Sequence, residues 1–71
     1  MKKGTLLRNK SDGQYIIVVS EPFTKFFPED GRMEYGYADT AVRVKWIECG
    51  YERVMRQRNM KRNWEVINEG R

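Results

Sequence analysis

Seventy-one residues with 14 basic and 10 acidic side chains, a formal charge of +4, describe one domain, residues 1–71, below the usual domain size. The single cysteine, Cys49, excludes an intramolecular disulfide, and one cysteine without any histidine excludes both imidazole catalysis and a structural zinc set of about four ligands. A chain this short buries only about 60% of its unfolded surface, so its two Trp, four Tyr and three Phe are needed to make a core, which leaves little room for an enclosed substrate cavity.

The signals in chain order are those of strands. Residues 4–9 predict a short first strand. Ser11-Asp12-Gly13 is turn chemistry, because Asp caps its own turn and Gly accepts a positive φ. Residues 14–20 form a β-branched run that suits a pleated, half-buried surface, and the pair reads as a tight hairpin. Tyr15-Ile16-Ile17-Val18-Val19 is the longest apolar run, far short of the roughly 20 residues of a membrane span. The N-terminus has two lysines but no apolar segment of a signal peptide. With the lone cysteine, this predicts a cytoplasmic protein.

Residues 21–40 change character. Pro22 and Pro28 remove backbone donors, Asp30-Gly31 marks a turn, and Phe23, Phe26, Phe27, Tyr35 and Tyr37 sit among charges. The stretch reads as a long loop between the second and third strands, holding either a helical turn at 24–27 or a small irregular hairpin around Asp30-Gly31. Residues 41–47 alternate, with Val42, Val44 and Trp46 on one face and Arg43 and Lys45 on the other. Glu48-Cys49-Gly50 predicts a second tight turn, 51–57 a fourth strand, 58–63 a polar connection anchored by Met60, and Trp64-Glu65-Val66-Ile67 a last strand. A single helix over 51–67 fits poorly: at 100° per residue its apolar residues split between two opposed sides. Trp46 and Trp64 are both assigned to the core.

The stretch from Val42-Arg43-Val44-Lys45-Trp46 through the Cys49-Gly50 turn, Glu52-Arg53-Val54-Met55, Arg58-Asn59-Met60-Lys61-Arg62-Asn63 and Trp64-Glu65-Val66-Ile67 resembles the SH3-like barrel. The resemblance implies an all-β, five-stranded barrel with a 3₁₀ turn, here 58–63, before its last strand. The short Ser11-Asp12-Gly13 turn replaces the long first loop of signalling SH3 domains, and the Ala-Leu-Tyr-Asp-Tyr segment is missing, so proline-rich peptide binding is not implied. The short first hairpin looks more like the KOW-type small barrels of bacteria and phages, many of which bind nucleic acid or a protein partner. A compact, highly charged chain of this length is also similar in style to phage accessory proteins.

No phosphate-cradling glycine loop occurs, and the adjacent Glu29 and Asp30 read as a solvated turn rather than a catalytic pair. The chain is therefore expected to be a non-catalytic binding module without cofactor or metal. Charge is uneven: residues 1–20 carry four basic side chains against one acidic, 21–40 two against five, and 41–71 eight against four. Arg43, Lys45, Arg53, Arg56, Arg58, Lys61 and Arg62 are the candidate nucleic-acid-binding face, since guanidinium forks suit phosphate, and Tyr51, Tyr35 and Tyr37 are candidates to stack on unpaired bases. The alternative is a host-protein interface through the acidic, aromatic segment 21–40, with Phe23, Phe26, Phe27, Tyr35 and Tyr37 as anchors. Self-association is compatible with either, and a membrane partner is not expected.

Overall fold

The computed structural model describes residues 1–29 and 32–70, without the side chains of residues 29 and 32–35. It contains β1 (Leu6–Asn9), β2 (Tyr15–Val18), β3 (Phe23–Glu29), β4 (Arg32–Trp46), β5 (Glu52–Arg56), α1 (Gln57–Asn63) and β6 (Trp64–Asn68). The sheet runs β3-β4-β2-β1-β6, and β5 adds to β4. Every ladder is antiparallel. Among the described residues no helix is long and apolar enough to cross a membrane.

Turn chemistry closes the two tight hairpins as the residues dictate. Asn9 Oδ1 accepts from the Ser11 and Asp12 N–H groups, Asp12 Oδ1 accepts from the Gln14 N–H, and Gly13 takes φ 75°. In the second turn the Gly50 N–H donates to the Trp46 carbonyl at 2.8 Å, with Gly50 at φ 74°. Both positive φ values would strain a residue bearing a Cβ.

The strand alternation builds one apolar side. Leu7, Ile16, Val18, Val42, Val44, Met60 and Trp64 form the buried cluster, with Met1, Trp46 and Met55 packed against it. Trp64 is in the core, whereas Trp46 is only partly buried: its indole Nε1 donates to Gln14 Oε1 at 3.0 Å, and its ring meets Tyr51 and Trp64 with centroids 5.5 and 6.1 Å away. An indole with a polar partner in reach sits at the core boundary.

Three expectations about the fold are corrected. The chain forms six strands rather than five, and no ladder joins β5 to β6, so among the described residues the sheet is open rather than a hydrogen-bonded barrel. The extra strand is β3, formed within the stretch expected to be a loop, and the chain turns from β2 into it at Val19–Pro22. There the Ser20 hydroxyl, not a backbone carbonyl, accepts from the Arg43 N–H at 2.9 Å, while the Val19 N–H donates to the Arg43 carbonyl at 2.8 Å. Both β2 and β3 thus lie along β4. At about 3.3 Å per residue a straight 15-residue β4 would exceed the molecule's 36 Å longest axis, so the ribbon bends.

The segment 21–40 is a two-stranded arm rather than a long loop: of the two expected contents, the helical turn at 24–27 is overturned by strand β3, and the hairpin alternative agrees with the antiparallel pairing of β3 and β4. Phe23↔Ala41 through Pro28↔Gly36 pair in unbroken register. Its charges and prolines disguise a sequence rich in Phe, Tyr and Thr; β3 pairs only with β4, and on an edge strand a missing proline donor costs no ladder bond. The Asp30-Gly31 turn and the Glu29-Asp30 carboxylate pair lie outside the described residues.

The connection before the last strand is an α-helix of seven residues rather than a 3₁₀ turn. Gln, Arg, Met and Lys are good helix formers, and the Trp64 N–H donates to the Met60 carbonyl in the i→i−4 pattern of an α-helix. Met60 is fully buried and anchors α1 over the gap between β5 and β6. Strand, helix, strand accounts for the two opposed apolar sides of 51–67.

Candidate nucleic-acid interface

Cross-strand partners in an antiparallel ladder share a face, so register decides which side chains meet. The pairs Phe27↔Tyr37, Lys25↔Asp39 and Phe23↔Ala41, together with Ala41↔Arg56, Arg43↔Val54 and Lys45↔Glu52, place Phe23, Lys25, Phe27, Tyr37, Asp39, Arg43, Lys45, Glu52 and Arg56 on the side of the sheet opposite the core. Two of the candidate basic residues of β4, Arg43 and Lys45, are exposed there.

Arg56 is the centre of this face. Its guanidinium carbon lies 4.3 Å from the Phe27 ring centroid and 4.9 Å from that of Tyr37. Its Nη1 donates to Tyr37 Oη at 2.9 Å, and its Nε stands 3.8 Å from Asp39 Oδ2. Asp39 Oδ1 accepts from the Thr40 N–H at 2.8 Å. Asp39 Oδ2 and Arg56 Nε are buried and neither has a hydrogen-bond partner among the described residues, so their attraction offsets only part of the desolvation of each group.

Arg58, from the start of α1, reaches the same carboxylate: its Nε is 3.7 Å from Asp39 Oδ2, and its guanidinium carbon lies 5.8 Å from the Tyr37 centroid. One acidic group therefore faces two guanidinium groups. Arg56 is held at 21% side-chain exposure, whereas Arg58 stays 65% exposed. Lys25 Nζ lies 5.9 Å from the Phe27 ring on the same face.

The remaining candidates separate. Arg53 is the partner of Val44, a core residue, so alternation sets it on the other face of β5 from Arg56, while at this exposed sheet edge both line a cavity with Phe27 and Asn59. Arg62 lies one turn after Arg58 on the exposed side of α1. Lys61 lines a groove of about 490 Å³ with Lys2, Glu21, Gln57, Val66 and Glu69, away from Tyr37. Tyr51 is 60% exposed beside Trp46 in the second turn, at the far end of β4 from Tyr37.

The aromatic candidates divide as well. Phe27 and Tyr37 join the arginine cluster, Phe23 and Phe26 are exposed at 38% and 42%, and Phe26, paired with Ala38, points to the other face of the arm. Tyr35 lies in β4, with its side chain outside the described residues. The sequence offered the arginines and the arm phenylalanines for two rival sites, with Tyr35 and Tyr37 in both, and the fold brings Phe27, Tyr37, Arg56 and Arg58 together. Asp39 and Lys25 were missed; their alternation with Tyr37 and Phe27 was the available signal, once 21–40 is read as paired strands. Among the described residues no group of acidic or cysteine side chains is placed to hold a metal ion.

No protein-family profile, no curated protein and no solved structure matches this chain.

Proposed function

We propose that this protein is a non-catalytic binding module that takes nucleic acid on the face carrying Tyr37 and Arg58. The observation that carries the reading is the gathering of half-exposed aromatic rings with Lys25, Arg43, Lys45, Arg56 and Arg58 on one side of the sheet, where Asp39 and Glu52 are the acidic side chains among the described residues. Basic side chains interleaved with aromatic rings are the surface that binds phosphate backbones and bases together.

We further propose that the chain is an SH3-like barrel of the KOW-type kind. In support, with β2 and β3 counted as two halves of one bent strand, the order is β6-β1-β2/β3-β4-β5, a meander whose last strand returns beside the first. A short helical segment precedes that last strand. A role as a bacterial or phage accessory protein is supported by the small, highly charged chain, and a cytoplasmic location by its single cysteine.

The test is fluorescence anisotropy with labelled DNA and RNA oligonucleotides across about 50 to 200 mM salt. Four solvent-facing cations, Lys25, Arg43, Lys45 and Arg58, predict a log–log salt slope of about −3 on a single strand, at about 0.7 per phosphate contact. Binding that ignores salt, or no binding at low salt, overturns the reading.

A second reading is favoured by Phe26, 42% exposed on the arm face away from the arginines. It offers an aromatic anchor to a host protein. That reading predicts weak salt dependence and loss of a partner in pull-down when Phe26 is truncated.

A further inference from the structure

We infer that the Tyr37 face is a single-strand site, in which an unpaired base stacks on Tyr37 and the neighbouring phosphate is taken by Arg58, released from Asp39. The inference rests on the nucleic-acid reading above and narrows it.

Stacking requires a flat π surface that solvent can reach. Tyr37 keeps 42% of its surface exposed, while the bond from Arg56 Nη1 to its hydroxyl and the Phe27↔Tyr37 register hold its position. A ring anchored before the base arrives loses little freedom on binding. A base inside a duplex offers only its edge, so a duplex cannot use such a ring.

The elements that could read a duplex are unsuited to it. The helix α1 has seven residues, and its exposed arginines reach phosphate rather than a groove floor. The β3–β4 arm has the shape of a groove-entering ribbon, but residues 21–40 carry five acidic against two basic side chains. A duplex, with about one charge per 1.7 Å, repels that arm more than a single strand does.

Arg58 supplies the phosphate contact. It shares one carboxylate with Arg56 across 3.7 Å and is 65% exposed, so leaving Asp39 costs little. A phosphate oxygen at charge-assisted hydrogen-bond distance is a better partner than a carboxylate at that separation. Arg56, lying over both rings with its Nε buried, stays with Asp39 as a positioning residue.

The experiment compares an unpaired oligonucleotide with a hairpin duplex of equal phosphate number, by anisotropy at fixed salt. At about 1–3 kcal/mol per stacked base, the single strand binds roughly 5- to 150-fold more tightly. Tyr37→Phe keeps this preference. Tyr37→Leu removes it by lowering single-strand affinity to that of the duplex, while Arg58→Ala weakens both and lowers the single-strand salt slope by about 0.7. Ultraviolet cross-linking of the wild-type protein to oligouridine supplies a readout independent of variant folding, with the adduct expected on the Tyr37 peptide. Equal affinity for both forms, a preference that survives Tyr37→Leu, or an adduct on Tyr51 instead would overturn the single-strand site alone. Failure to bind any oligonucleotide would overturn the nucleic-acid reading beneath it.

Discussion

Arg56 and Tyr37, 19 residues apart, are joined by a 2.9 Å hydrogen bond from guanidinium to phenol while the same guanidinium lies over the tyrosine ring. This contact ties β5 to the β3–β4 arm. A two-stranded hairpin is only marginally stable alone, so Arg56 and Asp39 secure the segment that presents Tyr37. Charge reversal at Arg56 would set two acidic groups together over two rings, and Arg56→Glu is expected to loosen the arm, seen as faster chymotryptic cleavage after Phe26 and Tyr37. Arg58→Ala, at an exposed position, should leave that cleavage unchanged.

Arg53 separates the two faces experimentally. It lies on the core side of β5, so Arg53→Glu should leave oligonucleotide affinity within about 2-fold, whereas Arg43→Glu, on the Tyr37 side, should weaken it at least 5-fold at low salt, as expected for losing a phosphate contact of about 1 kcal/mol or more. Equal effects in anisotropy titrations would show that the faces are not distinct.

Met60 is the only buried residue of α1. Met60→Ala is expected to cost about 2–5 kcal/mol, a large part of the stability of a domain this small, and to appear as a lowered midpoint in urea denaturation. A loss below 1 kcal/mol would mean that α1 does not seal the core.

Two glycines should differ sharply. At Gly36, φ is 150° and a Cβ would fall 2.2 Å from the Phe27 carbonyl oxygen and 2.8 Å from the Pro28 Cα. Gly36→Ala therefore adds backbone overlap to a φ strain of about 1–3 kcal/mol, and should open the arm to protease. Gly13 has φ 75° but nothing within 4 Å of a Cβ, so Gly13→Ala costs only the left-handed strain of about 1–2 kcal/mol, and Gly13→Asn less.

The tryptophans should report the core boundary. Trp64 is 7% exposed, whereas Trp46 is partly open. In single-tryptophan proteins, Trp46→Phe leaves a blue-shifted emission poorly quenched by iodide, and Trp64→Phe leaves a redder, better quenched one. The same quenching for both would place Trp46 in the core after all.

Local chemistry in the chain determined much of this protein. Asn9, Asp12, Gly13 and Gly50 specify their turns through φ and short-range hydrogen bonds, and the alternation of Val42, Val44 and Trp46 with Arg43 and Lys45 specifies the two sides of β4. Met60 in a polar run marks the anchor of the last connection. These are interactions within a few residues, so they can be read without knowing the fold. The site was decided elsewhere. The Ala41↔Arg56 and Phe27↔Tyr37 registers depend on where the ribbon bends at Ser20 and on how far β4 runs past β5, and nothing in local propensity states either. The fold brings Phe27, Tyr37, Asp39, Arg56 and Arg58 together from four elements, and strand alternation sends Arg53 and Arg56, close in the chain, to opposite faces of β5.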